Sequence, residues 1–296
     1  MSQFSDSRYN ANNYNTYRPS YPESFYEKLK EYEQTSLSLH DGRLKTLLDI
    51  GCGTGIATYQ LSKNLKDFDQ LIGIDASDTM IKTATEAYGS IKSLSFEISG
   101  YDKIDDKFAS ESIDMITCFQ ACHWFDFDKF VNVSWKLLKV DAPLAIVGYM
   151  DSVILEYPEL DSLLHELEYG QENLGPYWDQ PGRTILRSGL ADFHLDETKF
   201  TDIQEVIIDA KMLRSKYYDS DNNPLIVSKK MALSDFANYL RTSSSYFTWR
   251  QKHQDSEDLV QIYMNKILEK IDSLKLSSEV TIVWGSYYKI GKKKQL

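Results

Sequence analysis

The sequence predicts an α/β fold: a doubly wound, Rossmann-like sheet with a helical cap formed by insertions. Three observations predict it. Short apolar runs alternate with helix-patterned segments through the first half of the chain, a glycine-rich turn follows the first of those runs, and an aspartate closes the second. With 296 residues, 42% of them apolar, the chain can bury a sizeable core in one large domain or two small ones.

Taken in order, Thr46 to Ile50 reads as a first buried strand, followed by the glycine turn and a helix to about Leu65. Leu71 to Ile74 is a second strand, and Ser77 is placed to cap a helix carrying Met80, Ile81 and Ala84. Leu94 to Ile98 alternates apolar and polar residues as a third strand does. Ile113 to Phe119 is a fourth, Phe127 to Leu138 its crossover helix, and Leu144 to Tyr149 a fifth strand entered through Pro143. Five strands in about 105 residues make parallel β-α-β units.

After Tyr149 the rhythm changes. Asp151 to Phe200 is rich in Tyr, Trp, Pro and Gly, too long for a simple βα connection, and insertions of that size are usually functional. Phe200 to Ile208 reads as a sixth strand and Val280 to Ile290 as a seventh. Between them, Met231 to Lys270 is largely helical, with Leu233, Phe236, Ala237 and Leu240 on one face. The expected organisation is an N-terminal segment (1–40) that closes over the ligand, a ligand-binding core (41–150), insertions and cap with one core strand (151–278), and a last core strand (279–296).

Charge narrows the function. Lys and Arg number 33 against 44 Asp and Glu, a formal charge of −11. That excess repels phosphate backbones and anionic headgroups, and the only clustered basic run is Lys292 to Lys294. Nucleic acid and membrane are not expected partners, and no obligate protein partner is evident. Met1 to Thr16 lacks the basic-then-apolar order of a signal peptide, and no stretch approaches the ~18 apolar residues of a transmembrane helix. Cys52, Cys118 and Cys122 are odd in number and lack zinc-site spacing, so they read as reduced, buried thiols in a cytoplasmic protein.

The chemistry is carried by Asp49-Ile50-Gly51-Cys52-Gly53-Thr54-Gly55, at the junction of the first strand and its helix. Glycines there allow a tight turn and let a ligand approach the backbone amides. The spacing is Gly-x-Gly-x-Gly. A nicotinamide dinucleotide motif wants glycine or alanine where Ile56 stands, and no Lys-Ser/Thr follows to make a phosphate-binding P-loop. Asp75 ends the second strand, 24 residues past Gly51, where a carboxylate can accept both hydroxyls of a ribose. Ser99-Gly100 and Gln120-Ala121-Cys122-His123-Trp124 end the third and fourth strands and face the same crevice.

Asp49 to Gly55, Asp75 and the Gln120 to Trp124 segment resemble the class I S-adenosylmethionine-dependent methyltransferases, which have a seven-stranded sheet. The Arg18-Pro19-Ser20-Tyr21-Pro22 opening, His123-Trp124-Phe125-Asp126, Gly175 to Arg183, and Arg241 before an aromatic helix are similar to the fungal trans-aconitate methyltransferases and their cantharidin-methylating relatives. The resemblance runs nearly end to end. It implies S-adenosylmethionine as cofactor, with Gly51, Gly53 and Gly55 cradling its methionyl part and Asp49 holding the ammonium through the turn. Asp75 would bind the ribose, Ala76 and Met80 would pack near the adenine, and Ser99 and Gln120 would line the site. Many such enzymes read the adenine with an acid at the end of strand three; here that place is Ser99 or Gly100, with Asp102 nearby.

The sulfonium is already an activated leaving group, so the protein must mainly align a nucleophile. A carboxylate, with a pKa near 4, needs no general base, whereas a hydroxyl does. His123 is the candidate base, and orientation is the role expected of it. A polycarboxylate also needs its spare charges held, which arginine does with a planar fork. Arg18, Arg183 and Arg241 are expected to converge on a small polycarboxylate substrate, forming a positive pocket walled by Tyr21, Trp124, Tyr177 and Trp178. Tyr14 and Tyr17 belong to the closing segment. The expected activity is monomethyl esterification of a trans-aconitate-like acid, with no metal. A xenobiotic dicarboxylate or anhydride, a hydroxyl compound, and a non-catalytic cofactor-binding protein are the alternatives.

Overall fold

The computed structural model describes residues 16–34, 44–215 and 223–295. After helix α1 (Glu23–Gln34), the core alternates β1 (Thr46–Ile50), α2 (Ile56–Asn64), β2 (Gln70–Asp75), α3 (Asp78–Tyr88), β3 (Leu94–Ile98), β4 (Met115–Phe119), α4 (Phe127–Leu137) and β5 (Pro143–Ile154). The insertions supply α5 (Asp161–Tyr169), α6 (Gly182–Arg187), β6 (Phe200–Ile208), β7 (Val227–Ala232), α7 (Leu233–Arg241), α8 (Ser244–Lys252) and α9 (Leu259–Lys270), and β8 (Glu279–Lys293) returns to the sheet.

The sheet runs β3-β2-β1-β4-β5-β8-β6, with β7 also paired to β8. β1 to β5 are parallel, and β8 is antiparallel to β5. Alternate residues of a strand face opposite sides, so a sheet covered by helices on both faces needs apolar residues at both parities. The molecule meets that demand. Leu47 packs with α1 residues Phe25 and Leu29 on one face, while Leu48 and Ile50 pack with Phe127 and Phe130 of α4 on the other.

Two features depart from the expected seven strands. β7 is an eighth strand where the pattern from Met231 suggests helix; Met231 pairs with Val280 on β8. Lys229, on the face of the buried Val227 and Met231, breaks the apolar alternation of Val-Ser-Lys-Lys-Met-Ala, which hides the strand. β8 is long enough to pair end to end with β7 and β6 along one edge. β5 also continues to Ile154, with a register shift between Tyr149 and Ser152. Such irregularities re-aim side chains beside a site.

Other expectations hold. Ser77 caps α3 by accepting from the Met80 N–H, and Leu233, Phe236, Ala237 and Leu240 are all buried. The three cysteines are free and buried. Lys292 and Lys293 are buried in the sheet, Lys292 beside Asp202 and Lys293 on Glu111, so this run is no surface patch. Among the described residues no helix is long and apolar enough to cross a membrane.

Gly55 tests the packing that holds the turn. It sits at φ +78°, and a Cβ there would lie 2.8 Å from Phe96 and 2.9 Å from Ala84. Left-handed backbone costs a non-glycine residue roughly 1–2 kcal/mol and overpacking about 1–3. Gly55→Ala is expected to lower unfolding free energy by about 2–5 kcal/mol in urea titration.

Candidate functional site

A cavity of about 430 Å³ opens at the carboxyl ends of β1, β2, β3 and β4 and at the register shift within β5. Its floor is the turn after β1, held to β2 by Gly51 and Cys52 N–H groups that both donate to the Ile74 carbonyl, at 2.8 and 3.0 Å. Gly53 lies on this floor at φ +54°, with nothing within 4 Å of where a Cβ would point. Its N–H donates to Asp75 Oδ2 at 3.0 Å, and the Ser77 N–H donates to Oδ1 at 2.8 Å. Burial raises the Asp75 pKa, while these backbone donors pull it down. Ala76, Met80, Ser99 and Asp102 continue the wall; the Asp102 carboxylate folds back over Gly100.

The other end of the cavity is built from distant parts of the chain. Arg18 enters from before α1. Its Nε donates to Thr242 Oγ1 at 2.9 Å, and its terminal nitrogens to Tyr149 Oη and the Thr242 carbonyl, both at 3.1 Å. The N-terminal segment is thereby fastened to the cap after α7 and to the irregular end of β5. Tyr21 follows, edge-on to Phe119 with centroids 4.8 Å apart. Arg183, on α6, donates to Asp151 at 2.7 Å and to the Tyr169 hydroxyl, and lies 3.9 Å above the Trp178 ring. Glu168 on α5 stands 3.6 Å from the same guanidinium. The Arg183 Nε is buried without a hydrogen-bond partner.

His123 lies in the short turn (Cys122–Trp124) after β4, with its ring 4.8 Å from that of Trp124. It is 6% exposed, and its Nδ1 is buried without a partner. Burial, and then the Arg183 charge, push its pKa down to about 3. The ring is neutral at physiological pH.

Comparison with known proteins agrees with this geometry. Residues 48–146 match the family model described as "Methyltransferase domain". The chain carries a class I S-adenosylmethionine-dependent methyltransferase domain. It is 25% identical over 293 residues, 95% of both chains, to the probable S-adenosylmethionine-dependent methyltransferase CRG1 of Saccharomyces cerevisiae. It is also 25% identical to a putative methyltransferase of Dictyostelium discoideum, over 80% of this chain and 75% of that protein. In fold it is similar to a putative type II methyltransferase from Anaeromyxobacter dehalogenans, with TM-score 0.67, 19% identity, and 94% and 98% of the two chains covered. A loganic acid methyltransferase shares the fold at TM-score 0.54 and 13% identity, over 92% and 93% of the chains.

S-adenosylmethionine is the cofactor of such a methyltransferase domain, and the cavity fits it. The open space over Gly53 admits a ligand against the backbone, and Asp75, which accepts from the Gly53 N–H, lines the same cavity. Among the predicted residues, the cavity brings together Arg18, Tyr21, Gly51, Gly53, Asp75, Ala76, Met80, Ser99, Gln120, His123, Trp124, Trp178 and Arg183. Gln120 is there, but its side-chain amide is engaged by the backbone N–H and carbonyl of Tyr149, at 2.7 and 2.9 Å.

Four predicted residues stand elsewhere. Asp49 is fully buried behind the turn and accepts from the Thr58 and Thr117 hydroxyls at 2.6 and 2.8 Å, so it supports the loop and does not reach a ligand ammonium. Gly55 is filled from behind by Phe96 and Ala84. Arg241 turns to Asp258, at 2.8 Å, and to Asn238. Tyr177 packs edge-on to His253, with centroids 5.7 Å apart. Tyr14 lies outside the described residues. Conversely, Tyr149, Asp151, Glu168 and Tyr239 line the cavity and were not predicted. Glu168 had a signal: it follows the buried Leu164 by four residues, an acid on the apolar face of its helix.

Gly53 and Gly55 give a paired test. Gly53→Ala strains only the backbone, at roughly 1–2 kcal/mol, and projects its methyl into open space beside the ligand. The variant is expected to stay folded yet bind S-adenosylhomocysteine at least tenfold more weakly by calorimetry.

Proposed function

We propose that the enzyme transfers the methyl group of S-adenosylmethionine to one carboxylate oxygen of a small, trans-aconitate-like polycarboxylic acid, forming a monomethyl ester. Gly51, Gly53 and Asp75 hold the cofactor, with Ala76, Met80 and Ser99 along its nucleoside half. When bound, it supplies a methyl on a sulfonium that leaves as a neutral thioether. The chain's own residues then have to align the acceptor oxygen, and holding reacting atoms in near-attack geometry contributes about 7–11 kcal/mol.

The observation that carries this reading is the Arg183 guanidinium in the wall of the same cavity as the glycine turn. A guanidinium in the wall of a ligand cavity favours an anionic oxygen. Arg18 adds a second guanidinium to the same cavity. His123 supports a carboxylate over a hydroxyl acceptor, because a buried ring with a pKa near 3 is a poor base.

Assay of trans-aconitate, a cantharidin-type dicarboxylate and a hydroxylated analogue, with product mass analysis, tests the acceptor. The expected product is a base-labile monoester of the polycarboxylate. Arg183→Ala is expected to raise KM about tenfold or more, as loss of a charged hydrogen bond worth roughly 1.5–3 kcal/mol implies, while Arg241→Ala leaves it unchanged. The kcat is expected to stay flat from pH 5.5 to 9, since the acceptor is ionised and His123 neutral throughout. A His123→Gln loss of a thousandfold, with methylation of the hydroxyl compound alone, would overturn the carboxylate reading.

A further inference from the structure

The acceptor end holds an acid that methyl transfer does not call for. Glu168 projects from the apolar face of α5, its side chain 13% exposed, and lines the cavity with its carboxylate 3.6 Å from Arg183. Arg183 already donates to Asp151 at 2.7 Å, and Arg187 donates to the other oxygen of Asp151 at 3.0 Å. Asp151 is therefore shared between two guanidinium groups and anchored to both. Glu168 has one such neighbour, and at a longer distance. Of the two acids it is the one more readily displaced.

On the polycarboxylate reading of the site, we propose that Glu168 is a specificity-determining residue. It stands where a second carboxylate of the acceptor would approach Arg183, and it gives way by taking up a proton from solvent when a di- or tricarboxylate binds. The groups facing it decide how readily this occurs. Burial, helped by Asp151, pushes the Glu168 pKa up to about 7, while Arg183, Arg187 and Arg18 pull the other way. Tyr169 on its own helix and Tyr239 on α7 have raised pKa values and stay neutral, as does His123. A bound anion adds negative charge beside Glu168 and raises its pKa further.

The sign follows from linkage. Below pH 7 Glu168 is already protonated and polycarboxylate affinity is at its full value. Above pH 7 each bound acid must bring about one proton, so affinity falls by up to tenfold per pH unit. A monocarboxylate that leaves Arg183 to Glu168 escapes this dependence. Glu168 thus makes the pocket favour acids of lower charge at high pH.

The test is calorimetric titration of trans-aconitate into the S-adenosylhomocysteine-bound enzyme at pH 6 and pH 8, each in two buffers of different ionisation enthalpy. Wild type is expected to take up close to one proton per acid at pH 8. Glu168→Gln is expected to take up none, bind with equal affinity at both pH values, and gain about tenfold in tricarboxylate-over-monocarboxylate preference at pH 8. Unchanged S-adenosylhomocysteine affinity checks its fold, and Glu168→Asp, which keeps a titrating group, should retain the uptake. If trans-aconitate binds wild type without proton uptake, or Glu168→Gln takes up the same proton, the inference fails and the acceptor reading stands. If wild type and both variants bind no polycarboxylate at either pH, the acceptor reading fails and takes the inference with it.

Discussion

Asp49 carries a carboxylate into the fully buried seam where β1, β4 and α2 meet. An ion there is costly unless its oxygens are satisfied, and the Thr58 and Thr117 hydroxyls supply one donor to each. Burial still raises its pKa to about 6. Thr58 belongs to α2 and Thr117 to β4, so satisfying this one group fixes the helix and the neighbouring strand against the end of β1. The turn between β1 and α2 is then bounded at both ends, and Gly51 and Cys52 can present their amides to β2 while Gly53 keeps open space above it. The acid in the glycine motif thus acts through the scaffold. Its influence on the ligand passes through the position of the turn.

The core of the fold was legible because strands and helices leave different traces: short apolar or alternating runs, separated by helical periods. β1, β3 and β6 begin and end where the pattern places them. β7 was illegible because it pairs along one edge only, with half of β8, and Lys229 stands on the same face as the buried Val227 and Met231. Site residues divide in the same way. Those on the strand ends, such as Asp75 and His123, follow from topology, because strand ends converge on one crevice in any doubly wound sheet. Residues from the insertions do not follow, since nothing in a spacing says which face of a cap helix meets the sheet. Arg183 and Arg241 look alike in sequence, yet α6 turns one to the cavity while Asp258, capping α9, draws the other away.

The acceptor end is a mixed cluster. The expected pocket of three arginines becomes two guanidinium groups in the wall, Arg18 and Arg183, with Asp151 and Glu168 among them. Such an arrangement is more selective than a bare positive patch. A lone arginine pair attracts any anion, whereas a wall that carries its own carboxylates already satisfies part of each cation and admits only a ligand that improves on that pairing. The aromatic faces of Trp178 and Tyr169 hold the guanidinium planes in fixed orientation, with Arg183 3.9 Å from one ring and Arg187 3.7 Å from the other. Fixed planes give the ligand oxygens little freedom of placement, which is what an in-line transfer requires.

The net charge of −11 and an anionic acceptor are compatible because they act over different ranges. Exposed acids farther than about 8–10 Å from a ligand are screened by physiological salt. Charges inside a cavity of low dielectric are not, and there the pairing geometry of a few groups outweighs the sum over the surface. The basic run near the C-terminus makes the same point in reverse: Lys292 and Lys293 are absorbed into the sheet beside Asp202 and Glu111. Total charge therefore speaks to what the outer surface attracts, whereas the field inside the cavity is set by the few charged side chains that line it.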